Sequence, residues 1–569
     1  MAKVVADAGG TLIGPNCIGI INKNYHGVFT TPIPNLSQDG CDLISSSGST
    51  AVFIMEKAVS VGLRFSSVYT VGNAAQISVE DILEHLDDGF NPQTSSRIIM
   101  IYVEDIHDPQ KFLKHAQSLI KKGCRIAAIK AGATEAGSRA ASSHTGAMAS
   151  SDMVVRALFR KAGIVYCSSR DELITVASIF KYPPLEGPNI AVITHAGGTA
   201  VLLTDALERG GLSVPPIPKD IGDELSSYLD PGSSVMNPID FLATGTADQL
   251  GIIIDYVEHK MDFIQGMVVV FGSPGLFNVK NVYQVLNVKM DVCTKPIFPV
   301  LPSVINAHQE IDYFTSTGKI NFPDEVGLGI ALAQVYQRSK PKTAPMELPG
   351  IEKQKIRSII DTNPKGFLSV DQVSRLLHAI GLPQVIENQA NDIAQAKKMA
   401  HQIGFPIVMK VVGPIHKTDV GGVAINIQNE AAVTYHFQEL MKIKDATGVL
   451  IQPMLSGVEL FIGAKKEDQY GHLVLFGLGG IFVELFKDVR AVLSPCHKEE
   501  IHRQLTKLKG YKLLKGFRGQ EGIDIDLFVE YILRVIALVE AAPEIQELDI
   551  NPLFGRGREI LVVDARIRL

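Results

Sequence analysis

The chain contains no tryptophan and only six cysteines among its 569 residues. Cys17, Cys41, Cys124, Cys167, Cys293 and Cys496 are scattered, and no Cys-x-x-Cys pair occurs, so neither a disulfide framework nor a thiolate zinc site is indicated. This usage predicts a reducing, cytoplasmic setting. Long basic runs are also missing: 54 Lys and Arg stand against 60 Asp and Glu, for a net charge of −6. Neither a nucleic-acid partner nor an anionic membrane surface is therefore expected. No apolar run is long enough to span a bilayer, the N-terminus lacks a secretory pattern, and no low-complexity tract or short repeat occurs.

What the chain has in quantity is short apolar runs, each followed by small residues and then an amphipathic stretch. RIIMIYVEDI (97–106), CRIAAIKAG (124–132), NIAVITHAGG (189–198), MVVVFGSPG (267–275) and KPIFPVLPS (295–303) are of this kind. Continuous Val/Ile runs predict strands buried on both faces, hence parallel sheets covered by helices, with ligands at their carboxyl ends. KYPPLEGPN (181–189) separates two such sets, and RSKPKTAPMELPG (338–350) reads as an interdomain linker. Beyond it, SVDQVSRLLHAIG (369–381) has helical spacing, with Ser369 as N-cap and Gly381 as the stop, and FPIVMKVV (405–412) reads as a strand. At the other end, the first residues read as a helical turn or two and then a strand ending at Gly14-Pro15-Asn16, the tail of a domain.

Three constellations carry chemistry. Two segments have the form strand, small residues, helix, turning at Ser47-Gly48-Ser49 and at Ala196-Gly197-Gly198-Thr199. Free N–H groups and the dipole at a helix start attract anions, so two such starts can clamp one phosphate, although each alone is also an ordinary tight turn. His144, in AASSHTGAMASSD (140–152), stands among residues too small to cover it. A surface or capping histidine is one reading; a nucleophile that accepts phosphoryl is the other, with a carboxylate such as Glu104 to fix its tautomer. Past the linker, Lys410, the glycine pair Gly421-Gly422, and Asp549, Asn551 and Asp564, expected at strand ends, form an ordered set that suits a nucleotide with Mg²⁺.

These segments resemble the ADP-forming acyl-CoA synthetases of the succinyl-CoA synthetase superfamily. The resemblance covers nearly the whole chain and rests on GPNCIG (14–19), SSHTGAMA (142–149), NPIDF (237–241), HKTDVGGV (416–423), FGLGGIFVE (476–484) and LDINPL (548–553). It implies an α/β fold with two flavodoxin-like parallel-sheet ligase domains followed by an ATP-grasp domain. The corresponding boundaries are a CoA-binding-domain remnant over 1–33, ligase domains over 34–182 and 183–340, a linker over 341–352 and the nucleotide-binding domain over 353–569. It further implies that His144 is phosphorylated and oriented by Glu104, and that Ser47, Gly48, Gly197 and Gly198 hold the phosphate. His416 resembles a second histidine that relays phosphoryl to the nucleotide. Lys410, Gly421, Gly422 and Glu459 match nucleotide contacts, Asn551, Asp564 and Asp549 match Mg²⁺ ligands, and Asn237, Asp240 and Gly272 fall near the phosphate.

The implied reaction interconverts acyl-CoA, ADP and phosphate with carboxylic acid, CoA and ATP through an acyl phosphate and a phosphohistidine. Small residues around His144 suit a segment that serves two sites. Two departures bear on this. A Rossmann-like CoA-binding domain needs roughly 100–150 residues, and only its apparent end is present, so a nucleotide-binding fragment that needs a separate CoA-binding chain is the alternative. His195 also stands where the family usually has Asn. Exposed strand edges left by the missing domain predict a homo-oligomer.

Overall fold

The computed structural model describes every residue except 32, 135, 137–151, 274–277, 339–345, 364, 414–420 and 481–487. The chain divides into two compact units, Met1–Thr343 and Ala344–Leu569.

The first unit holds two sheets. Strands β1 (Gly19–Asn22), β2 (Tyr25–Val28), β3 (Leu36–Ser45), β4 (Phe65–Thr70), β5 (Ile98–Val103), β6 (Arg125–Lys130) and β7 (Val165–Cys167) form one, in the order β2-β1-β4-β3-β5-β6-β7. The run from β4 to β7 is parallel. Its inner strands are buried almost residue for residue, as helices on both faces require. Strand order reverses at β3 and β5, and in open sheets ligands bind outside the carboxyl ends at such a point.

The start of the chain differs from expectation. No strand ends at Gly14-Pro15-Asn16; helix Ala2–Asp7 is followed by irregular chain. Gly14 (φ 94°) and Asn16 (φ 59°) are left-handed, and Pro15 has no N–H to donate, so a strand cannot run through them. The strand comes afterwards: β1 pairs antiparallel with both β2 and β4 and covers the edge of the first sheet.

Strands β8 (Ile190–Thr194), β9 (Ser234–Val235), β10 (Ile239–Asp240), β11 (Gly266–Val270) and β12 (Ile297–Val300) form the second sheet, in the order β12-β11-β8-β10-β9, parallel except for β9. Every residue of β8 and β11 is buried. Here β8 lies between β10 and β11, which makes a second switch point. One continuous core, including Ile54, Val68, Phe180, Leu203, Phe298, Phe322 and Leu332, serves both sheets. Tyr182 in the connecting segment seats its ring 4.9 Å from that of Phe298.

The second unit is antiparallel. Strands β13 (Asn388–Ala390), β14 (Ile407–Val412), β15 (Val423–Ile427) and β16 (Gly448–Pro453) are ordered β13-β16-β14-β15, with helices Ile393–Ile403 and Glu430–Leu440 packed in the same core. Strands β17 (Val458–Glu467), β18 (Gly471–Leu478) and β19 (Val489–Leu493) join, past a two-residue hairpin pair β20 (Gly516–Phe517) and β21 (Gln520–Glu521), with β22 (Glu547–Arg556), β23 (Glu559–Val562) and β24 (Ala565–Arg568). Helix Ile525–Ala541 packs in the core of this larger sheet. The predicted helix after the linker is Val370–Ala379, closed by a capping box between Ser369 and Gln372, with Gly381 (φ 70°) just beyond its end. No helix among the described residues is long and apolar enough to cross a membrane.

Candidate functional site

The two anion-type turns in the first unit are built alike. After β3, Ser45 Oγ donates to Ser47 O (2.7 Å) and accepts from Ser47 N (3.2 Å). After β8, Thr194 Oγ1 donates to Ala196 O (3.1 Å) and accepts from Ala196 N (2.9 Å). A strand-end hydroxyl thus braces the residue two positions on, directly before helices Gly48–Ser60 and Gly197–Arg209. The brace stands directly before the first N–H groups of each helix, the groups that attract an anion at a helix start.

The two starts differ in access. Ser47 caps its own helix, accepting from Thr50 N at 3.3 Å, and lies 3.3 Å from Ser49 Oγ. Gly48 is buried because Ile18 covers it; a Cβ there would lie 2.6 Å from the Ile18 methyl. At the second start no side chain caps the helix, and Gly197 and Gly198 are exposed. Gly198 has open space around it, whereas a Cβ on Gly197 would meet Asp240 Oδ2 at 2.8 Å.

Glu104 follows β5 and is half-buried. Its backbone N–H donates to Ser46 Oγ at 3.4 Å, which ties it to the first turn. Burial, and then the Glu104 charge, raise the Tyr102 phenol above its ordinary range, and that hydroxyl lies within hydrogen-bonding reach of Thr50 and Glu104. Lys130, at the end of the neighbouring strand β6, is depressed by burial and partly restored by Asp105, Asp152 and Glu104. Glu104 is thus a carboxylate held at the β3–β5 switch point beside one helix start.

At the second switch point the ends of β10, β8 and β11 bring Asp240, His195 and Gly272 together. Asp240 Oδ1 accepts from Leu242 N at 3.0 Å. Asn237 has another task. Its Oδ1 accepts from Val192 N (2.9 Å), and its amide donates to Ile190 O (3.1 Å) and Pro215 O (2.9 Å). Both donors are spent on the backbone, so Asn237 braces β8.

In the second unit, a cavity of about 430 Å³ is lined by Lys410, Glu387, Leu450, Val563, Asp564 and Arg566, among others. Lys410 is buried and donates to Val563 O at 3.2 Å. Gln452, also buried, donates to Glu387 Oε2 (2.6 Å) and to Val563 O (3.3 Å). The glycine pair adjoins this wall, since Val411 N donates to Gly422 O at 2.8 Å. Glu459 does not line the cavity. It lies on β17 over the turn after β18, where a Cβ on Gly480 would collide with Glu459 Oε2.

Asp549 and Asn551 are not at strand ends, as the sequence suggested, but inside β22. The reason is that β22 changes partner midway. Residues 547–550 pair with β24 and residues 553–556 with β23. Asn551 sits at the handover and Asp564 in the gap between β23 and β24, joined by Asn551 N donating to Asp564 O at 3.1 Å. Burial raises the Asp549 carboxyl, Arg566 opposes that, and the Asp564 charge adds to it. Asp549 and Asp564, whose charges bear on one another, and Asn551, joined to Asp564 through the backbone, are hard-oxygen residue types of the kind Mg²⁺ takes.

His144 and His416 lie outside the described residues. Glu387, Gln452 and the Ile18 cover were missed from sequence. Each sits in an ordinary strand or loop, and only the chain crossings put it against the site.

Comparison with known proteins agrees with this layout. Family models match a succinyl-CoA ligase-like flavodoxin domain over residues 38–180, a ligase-CoA domain over 190–339 and an ATP-grasp domain over 360–569. An ADP-forming acetate–CoA ligase of Archaeoglobus fulgidus is 30% identical over 100% of this chain and 83% of its own. An ADP-forming 4-hydroxybutyrate–CoA ligase of Nitrosopumilus maritimus is 30% identical over 98% of this chain and 82% of its own. A solved acetyl-coenzyme A synthetase from Ca. Korarchaeum cryptofilum, in complex with phosphate and ADP, shares the fold at TM-score 0.53 and 24% identity, over 59% of this chain and 72% of that one. The chain spans 82–83% of the length of these two ligase relatives. The chain belongs to the ADP-forming acyl-CoA synthetases of the succinyl-CoA synthetase superfamily, and it is an ADP-forming acid–CoA ligase.

Proposed function

We propose that the first unit forms the acyl phosphate and the phosphohistidine, and that the second returns the phosphoryl group to ADP. The observation that carries this is the duplicated turn, one copy beside Glu104 and the other beside Asp240. Phosphate oxygen attacks the acyl-CoA carbonyl, the C–S bond breaks, and CoA leaves as the thiol with a proton. His144 then attacks phosphorus, the bond to the acyl oxygen breaks, and the carboxylic acid departs. Finally the ADP β-phosphate oxygen takes the phosphoryl group, directly or through His416, and neutral imidazole is regenerated.

The helix starts at Ser47-Gly48 and Gly197-Gly198 stabilise the phosphate charge through backbone N–H groups. Glu104 orients His144 by accepting from its other ring nitrogen, and so favours the tautomer that attacks. Lys410 meets nucleotide phosphate as a fixed charge, and Gly421, Gly422 and Glu459 complete the nucleotide contacts. Asn551, Asp564 and Asp549 would hold Mg²⁺, which neutralises charge on the transferring phosphate. Asp240 and Gly272 shape the phosphate pocket, and Asn237 supports it from behind.

The test is labelling with Mg-ATP carrying ³²P at the γ-position. Acid-labile, base-stable label on the wild type and none on His144→Ala is the expected result; equal label on both refutes the assignment. Formation of ATP from ADP, phosphate and a panel of acyl-CoAs then identifies the acyl group.

A further inference from the structure

Aligned on their bracing hydroxyls, the two half-sites of the first unit can be compared position by position. Ser45 corresponds to Thr194, so Ser46 corresponds to His195. The neighbouring strands keep the same register: Ser45 lies opposite Tyr102 and Thr194 opposite Val270. Glu104, two residues past Tyr102, therefore corresponds to Gly272. The first half-site has a small hydroxyl on the turn and a carboxylate on the neighbouring strand. The second has an imidazole on the turn and no side chain on the neighbouring strand.

That exchange makes room for the ring. His195 is 9% exposed and stacks on Phe271, with centroids 4.1 Å apart and planes 21° from parallel. Its Nδ1 is buried and makes no hydrogen bond among the described residues. A buried ring nitrogen left unpaired is costly unless a ligand or water completes it. The ring sits one residue before Ala196, which caps Gly197–Arg209 without a side-chain bond. Burial holds the imidazole below its ordinary range, opposed by hydrogen bonds with the Gly272 and Val270 backbone of the β11 side and then by the charge of Asp240 at the end of β10, which among the described residues is the charged group bearing on it. The second half-site thus places an imidazole beside a helix start that no side chain caps.

We infer that His195 is a titrating hydrogen-bond donor to the phosphate held at the start of helix Gly197–Arg209, so that phosphate capture is coupled to protonation of this ring. The inference rests on the assignment of that helix start to phosphate. A phosphate dianion beside the ring favours the imidazolium, which offers donors from both nitrogens. Phosphate affinity then falls as pH rises through the pKa of the occupied state. An amide at this position donates without titrating, so His195→Asn keeps a donor but loses the pH dependence.

The test uses histidine labelled with ¹³C at Cε1 in the full chain and inorganic phosphate as the probe. The His195 signal is the one missing from His195→Asn, whose fold is checked by its melting temperature. Phosphate is expected to raise the apparent pKa of that signal by at least about half a unit, and Gly197→Ala to abolish the shift. In parallel, the phosphate KM of the wild type should rise about threefold more than that of His195→Asn between about pH 5 and 8.5, the fold-change that a half-unit shift gives by linkage. If phosphate binds and Gly197→Ala weakens it, but the His195 signal and the two pH profiles do not respond, the role of His195 is overturned while the site stands. If Gly197→Ala leaves phosphate binding intact, the site assignment falls and the inference falls with it.

Discussion

Asp240 Oδ2 occupies the space a side chain on Gly197 would need, 2.8 Å from where its Cβ would stand. A side chain on Gly197 therefore obliges the Asp240 carboxylate to shift, whereas its neighbour Gly198 faces nothing within 4 Å. Gly197→Ala should displace Asp240 or the helix start and raise the phosphate KM by at least about tenfold, roughly 1.4 kcal/mol of lost binding. Gly198→Ala should change it less than about threefold, since a methyl there only crowds the ligand. Steady-state kinetics with varied phosphate separates the two; equal effects would show that Asp240 does not set the requirement.

Glu104→Gln keeps the shape and the backbone link to Ser46 but removes the charge proposed to fix the His144 tautomer. Labelling by γ-³²P-ATP should slow by about 10²-fold or more, in the range of a lost acid–base partner. The melting temperature should hardly move, because the side chain is only half-buried. Rapid-quench labelling at saturating Mg-ATP measures this, and an unchanged rate would remove Glu104 from the chemistry.

Asn237→Ala tests the brace. It deletes partners for Val192 N, Ile190 O and Pro215 O at a site only 8% exposed. Leaving such groups unpaired should cost about 2–3 kcal/mol and lower the melting temperature. Urea denaturation measures it. A stability loss with the phosphate KM nearly unchanged in the folded fraction marks Asn237 as support; the reverse pattern marks it as a ligand contact.

Asp42 supplies a pH dependence unrelated to catalysis. Buried in β3, with Ser67 Oγ donating at 2.5 Å, its carboxyl is raised by desolvation from 3.8 to about 7. The folded state therefore binds a proton that the unfolded state has already lost between these values. The contribution of this group is fully present below the unfolded pKa and is lost as pH rises through about 7. A shift of this size corresponds to on the order of 4 kcal/mol. Asp42→Asn, which still accepts from Ser67, should raise stability at pH 8 and leave it nearly unchanged at pH 4. Parallel melting curves that keep the same offset at both pH values would contradict the burial argument.

Asn551 holds the middle of the proposed cation site, where β22 passes from one partner strand to the other. Chelation with EDTA should abolish ATP formation and added Mg²⁺ restore it. Asn551→Ala should raise the Mg²⁺ half-saturation at fixed ADP by about tenfold, as loss of one oxygen ligand from a weak, hydrated site does. No change in half-saturation would move the cation elsewhere.

Composition and pattern alone determined much of this protein. Unbroken Val/Ile runs such as 98–103 and 190–194 became buried parallel strands, because a run apolar on both faces is stable only between two helical layers. Ser369 with Gln372 formed the predicted capping box, because that hydrogen-bond pair closes within a few residues. The two turns were legible for the same local reason. Tertiary structure decided the rest. It buried Gly48 under Ile18, turned Asn237 into a brace for a strand 45 residues away, and put Asn551 beside Asp564 by changing the partner of β22. It also took residues 19–28 into the first ligase sheet, although their sequence reads as the tail of something else. Periodicity records how deeply a residue is buried; it does not record which residue from elsewhere in the chain meets it there. That meeting is set by strand order and register, which are properties of the whole sheet.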